Sequence, residues 1–196
     1  MTVAMTEPPL CTRRFKRVEY ERLVETGFFR SDERLELIDG ALVVREPQGS
    51  LHAVALSLAA DTLRETFHGN WHVRVQSPIA LDDFSEPEPD IAVVAGAPRD
   101  YMRAHPSRPL VLVEVSEASL ALDRGVKGGL YARAGVMDFW IVNLVDRVVE
   151  VYREPVAAPA APYGARYASV VAARAPEIIS PLASPYARIA AADLLP

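Results

Sequence analysis

The 196-residue chain has little cysteine, little lysine and no basic excess. Its one cysteine, Cys11, cannot close an internal disulfide or build a cysteine-based zinc site. No apolar run approaches the ~20 residues of a membrane helix. The opening MTVAMTEPPL also lacks the charged-then-apolar plan of a signal peptide, so a cytoplasmic protein without membrane contact is expected. With 26 acidic residues against 21 basic ones the net charge is −5, which excludes a protein that coats nucleic acid non-specifically but leaves room for a local basic groove. Of the 21 basic residues only Lys16 and Lys127 are lysines. In a chain that otherwise uses arginine, a lysine is a weak pointer to a need for a compact ammonium. Internal repeats and linkers are missing as well. Half of the residues are apolar, enough for one ordinary domain that buries ~70% of its unfolded surface. The expected organisation is a flexible lead over 1–11 and a single domain over 12–196.

The pattern along the chain predicts an α/β domain with a mixed sheet. A helix is expected over about 13–26, ended by Gly27. LELIDGALVV, turning at Asp39-Gly40, predicts a hairpin. Ser50 is expected to cap a helix to about Phe67, with His52, Leu56, Ala59, Leu63 and Phe67 on one stripe. HVRVQSPIAL reads as a strand, DDFSEPEPD as an acidic turn, and IAVV as a short strand. LVLVEVS, apolar apart from Glu114, reads as a strand buried on both faces. Ser119 is expected to cap a helix to about Ala134, weakened by Gly128 and Gly129. FWIVNL and VVEVYRE predict two strands, Pro155 to Pro162 a flexible loop, and ARYASVV a weaker strand.

Three charged residues stand out against this frame. A carboxylate inside an apolar strand costs several kcal/mol unless it is paired, protonated or cation-bound. Strand alternation puts Leu110, Leu112, Glu114 and Ser116 on one face. If the strand after Asp90 pairs beside this one, Asp90 and Glu114 converge, and two carboxylates with phosphate and water are the usual protein share of a Mg²⁺ site. The plainer alternative is that Asp90 caps a turn and Glu114 meets an arginine. At 100° per residue Leu120, Asp123, Lys127, Leu130, Tyr131 and Ala134 share a face with Lys127 near its middle, which turns the lysine toward the sheet and an anionic partner. Its alternative is an Asp123–Lys127 pair worth ~0.2–0.5 kcal/mol with the amine in water.

Pro89-Asp90 and Glu114-Val115-Ser116 resemble the PD-(D/E)XK nuclease core. SEPEPD together with VEVSEASLALDRGVK and YARAGV resembles the bacterial Uma-two family of restriction-endonuclease-like proteins, as do RLELIDGALVV, PQGSLH and VEVYREP. The likeness spans nearly the whole chain. It implies a restriction-endonuclease-like core with a central mixed sheet flanked by helices, and cleavage of DNA. It further implies Asp90 and Glu114 as ligands of Mg²⁺ or Mn²⁺ and Lys127 as the catalytic cation, with Glu36 at a matching acidic position. The superfamily's lysine two residues after the glutamate is replaced here by Ser116, so the role falls to Lys127. His52, Gln76, Asp123 and Tyr131 are candidates for supporting contacts. His52 has a satisfied core histidine as its alternative, Gln76 and Tyr131 have packing, and Asp123-Arg124, which would orient Lys127 or contact phosphate, has a structural ion pair. A homodimer is expected because nucleases of this type commonly pair to cut both strands. Two rivals remain: a catalytically silent interaction module on a nuclease fold, and a metal-dependent phosphoesterase for small substrates.

Overall fold

The computed structural model describes residues 12–30, 32–45 and 47–196; the expected lead over 1–11 lies outside them. Helix α1 (Arg17–Glu25) starts four residues later than expected. Residues 14 and 15 are instead tied to the hairpin: Phe15 N–H donates to the Gly40 carbonyl and the Arg14 guanidinium to Asp39. That hairpin is β1 (Leu35–Ile38) and β2 (Ala41–Val44), turning at Asp39 and Gly40, both at positive φ. Helix α2 (Ser50–Thr66) buries His52, Ala59 and Leu63, with Phe67 just beyond its end. Gly49 is its N-cap, so Ser50 is the first helical residue rather than the cap.

The central sheet has six strands in the order β3-β4-β5-β6-β7-β8: β3 (Trp71–Val75), β4 (Ile91–Ala95), β5 (Val111–Ser116), β6 (Asp138–Asn143), β7 (Val148–Ala157) and β8 (Ala165–Ala173). Only β5 and β6 run parallel, joined by a helical crossover, so the sheet is mixed. β3 is shorter than expected because Gln76 turns the chain at φ 44°. β7 extends through residues expected in a loop, since Pro155, Val156 and Ala157 pair with Tyr167, Arg166 and Ala165. A small pair, β9 (Ile178–Ile179) with β10 (Ile189–Ala190), was not foreseen.

The crossover is three pieces, α3 (Leu120–Leu122), a π turn (Asp123–Lys127) and α4 (Gly128–Arg133), where one helix was expected. The Gly128 N–H reaches back to the Asp123 carbonyl, five residues away. Such single π turns inside helices cluster at functional sites. Ala134, expected on the buried face, is the exposed C-cap. α2 packs over one sheet face on Val113, Val115, Trp140 and Val142; α4 packs over the other on Leu112, Phe139, Ile141 and Tyr152. The sheet is thus a layer between helices, with all six residues of β5 buried.

Candidate active site

Three site residues meet at one end of the sheet because of strand direction. Antiparallel pairing puts Gln76 just after β3, Asp90 just before β4, and Glu114 near the end of β5 on the same edge. With Ile91 opposite Val113, the register brings Asp90 across from Glu114. The acidic segment before Asp90 is held along the hairpin: Glu86 N–H donates to Leu37 O and Glu88 N–H to Glu36 Oε2 at 3.0 Å. Over this edge opens a cleft of about 360 Å³, bounded by the hairpin, the start of α2 and the start of the crossover.

Lys127 points into that cleft's floor. Its Nζ is 3.1 Å from Glu114 Oε1, 3.6 Å from Glu36 Oε1 and 4.0 Å from Asp123 Oδ1. Only 6% of Lys127 and 2% of Glu114 are exposed, so the ammonium does not reach bulk water. Tyr131 Oη donates to the same Glu114 oxygen at 2.6 Å. Glu114 therefore meets a lysine and a tyrosine rather than an arginine. Burial pushes its carboxyl up to about 8, against the pull of Lys127. Burial also opposes the charge on Lys127, but Glu114, Glu36, Asp123 and Asp90 together hold its pKa above the ordinary value. Burial raises Asp123, whose Oδ2 accepts from both Ser116 and Ser119 at 2.6 Å. Ser119 is the N-cap residue of α3, as expected, but it spends its hydroxyl on Asp123 and makes no side-chain capping hydrogen bond.

Asp90 is 3% exposed and ringed by donors. Oδ2 accepts the Val115 N–H at 2.9 Å. Oδ1 accepts from Gln48 at 3.1 Å and from His52 and Gln76 at 3.3 Å. Burial alone would raise this carboxyl, yet His52, the Val115 N–H and the Lys127 charge hold it below the usual carboxylate range. The structure therefore brings together Asp90, Glu114, Lys127, Glu36, His52, Gln76, Asp123 and Tyr131. Arg124 does not join them: its Nε donates to Glu150 at 3.0 Å, the structural ion pair.

Arg45, Gln48 and Glu88 were not singled out from the sequence. Arg45 follows β2 and donates to Glu88 at 2.7 Å. A lone Arg beside Glu46 reads as solvated surface, and only the fold turns it into the cleft. Glu88 had a usable signal, since Glu86, Glu88 and Asp90 alternate with period two. Mg²⁺ is typically held by one or two carboxylates, substrate phosphate and several waters. Glu114 fits that role, as both its donors reach Oε1 and leave Oε2 without a hydrogen bond among the described residues. Asp90, across from it, is a carboxylate held below its usual range although both its oxygens accept hydrogen bonds. No three His, Cys, Asp or Glu side chains gather as a closed metal cage among the described residues. The donor set suits a hydrated ion completed by substrate and does not suit a structural metal.

Residues 17–186 match the family model described as "Uma2: Putative restriction endonuclease". The chain belongs to the Uma2 family. Comparison with solved structures finds a protein from Anabaena variabilis described as a putative nuclease belonging to DUF820. The two share 14% identity and a TM-score of 0.63, over 88% of this chain and 96% of the other. At that identity the likeness is one of fold, and it matches the restriction-endonuclease-like mixed sheet flanked by helices. A comparison with curated proteins finds no match. No helix among the described residues is long and apolar enough to cross a membrane.

Proposed function

We propose that this Uma2 chain is a metal-dependent endonuclease that hydrolyses DNA phosphodiester bonds in the cleft at the sheet edge. The observation that carries the reading is the Lys127 ammonium 3.1 Å from Glu114, with Asp90 across from Glu114 on the neighbouring strand. Asp90 and Glu114 would hold Mg²⁺ or Mn²⁺, and the ion would supply an activated water and polarise a phosphoryl oxygen. Lys127, kept charged by the carboxylates around it, acts as a fixed cation for the charge that builds on the pentavalent phosphate, not as a base. Glu36 and Asp123 fix the ammonium's position, and Tyr131 orients Glu114 through its hydroxyl. His52, Gln48 and Gln76 orient Asp90. A homodimer, with one site for each strand, is part of the reading and is checked by sedimentation.

The near-complete burial of Glu114 and Lys127 in a small cleft favours a second reading, a phosphoesterase for small phosphodiesters. Calorimetric titration of Mn²⁺ tests the site first. Binding is expected in the wild type and in Lys127→Ala, and lost in Glu114→Ala. Binding kept in both Asp90→Ala and Glu114→Ala would overturn the two-carboxylate site, as would none in the wild type even with a DNA duplex present. Plasmid nicking run beside hydrolysis of bis(p-nitrophenyl) phosphate then decides between the substrates.

A further inference from the structure

Two cations line the cleft among the described residues, and they are differently engaged. Lys127 is enclosed by Glu114, Glu36 and Asp123, all within 4.0 Å. Arg45 has donors to spare. Its guanidinium carries five N–H groups, yet among the described residues it makes one hydrogen bond, from NH1 to Glu88. NH2 stands 3.6 Å from Asp90 Oδ1, a charge contact beyond hydrogen-bond range. With 9% of its side chain exposed, the group is held in the cleft lining rather than on the open surface, and its remaining N–H groups are not shut away from the cleft. Its backbone is anchored by the Arg45 N–H to the Arg34 carbonyl at 2.8 Å.

The charge around it says what the donors await. Glu36, Asp90, Glu114, Glu117 and Asp123 line the cleft against only Arg45 and Lys127, so an entering anion needs a cation that still has N–H donors to offer. A planar fork of parallel N–H groups matches the two non-bridging oxygens of a phosphodiester, which a lysine cannot match. We propose that Arg45 binds substrate: it takes a phosphate of the bound strand in a bidentate grip, while Glu88 holds the guanidinium ready at the cleft wall. This assignment rests on the nuclease reading above. It makes Arg45 a binding residue beside the metal carboxylates and gives the acid-rich cleft a defined phosphate seat.

The test is fluorescence anisotropy of a labelled DNA duplex with Ca²⁺, followed from ~50 to ~200 mM potassium chloride. Arg45→Gln is expected to weaken binding roughly tenfold and to reduce the slope of log affinity against log salt by about 1. Arg45→Lys keeps the slope but loses affinity, since it retains the charge without the fork. Mn²⁺ titrated into DNA-free Arg45→Gln binds no more weakly than in the wild type. Wild-type slope and affinity in Arg45→Gln would overturn the assignment alone. So would an unchanged slope with Mn²⁺ binding lost, the mark of a group that merely steadies carboxylates. A wild type that binds no duplex would overturn the nuclease reading and this one with it. Should Arg45→Gln not fold, judged by circular dichroism, Arg45→Lys decides: wild-type affinity overturns the fork, and a roughly tenfold loss at unchanged slope supports it.

Discussion

Glu114 and Lys127 are buried against each other, and each leaves a different mark on stability. Burial pushes Glu114 up to about 8, so between its unfolded value near 4.5 and about 8 the folded chain holds a proton that the unfolded chain has released. That contribution is fully present below about pH 4.5 and is lost as pH rises through 8. Glu86, also buried and also pushed to about 8, acts in the same window. Asp90 has the opposite sign: held below its usual range, it contributes above that range and loses its share in acid. Urea-denaturation midpoints are therefore expected to fall from about pH 5 to pH 8. Glu114→Gln flattens part of the fall and Glu86→Gln a further part, with Asp123, also raised by burial, contributing in the same sense; an unaltered slope in the double variant would refute this account. Lys127→Met is expected to cost only about 1–3 kcal/mol by thermal denaturation, less than a typical broken buried pair, because Glu114 can stay protonated without its partner. In the same variant, plasmid nicking should fall by 100-fold or more, about the loss seen when one charge-stabilising donor is removed.

At the scale of elements, the crossover between β5 and β6 carries the site, and its glycines are not equivalent. A Cβ on Gly129 would sit 2.9 Å from the Pro162 carbonyl oxygen, whereas one on Gly125 would meet nothing within 4 Å. Gly129→Ala should therefore destabilise by about 1–3 kcal/mol despite alanine's better helix propensity, because α4 must move off the turn after β7. Gly125→Ala should raise the thermal midpoint by removing a helix cost of up to ~1 kcal/mol. Alternation along LVLVEVS was enough to predict that Glu114 and Ser116 share a face. The DG turn and the stripe of α2 were equally local signals. The π turn was not legible, because its i−5 hydrogen bond is a choice made by packing rather than by period. Even so, Lys127 reaches the floor that a regular helix would have given it, four residues from Asp123 and directly over Glu114. The start of α1 and the end of β3 were misjudged for a related reason: contacts from Asp39 and Gly40, and the turn at Gln76, lie beyond any local window.

For the whole molecule, the net charge of −5 and the acid-lined cleft mean that DNA, the substrate proposed above, would be held only when cations compensate. Duplex affinity measured in EDTA at moderate salt should be far weaker than with a divalent ion, and tight binding in EDTA would contradict the proposed site. The sequence by itself determined the mixed α/β plan, the carboxylate lodged in a buried strand and the lysine on the face above it. These follow from periodicity and from the cost of burying charge, both local properties. Only the tertiary structure decided that Asp90 stands across from Glu114, that Gln48, His52 and Gln76 converge on one Asp90 oxygen, and that Arg45 enters the cleft instead of the solvent. Each of those depends on which strands pair and on how the hairpin folds over the sheet edge. Such contacts join residues up to several dozen positions apart, and no pattern in the intervening sequence specifies their distance.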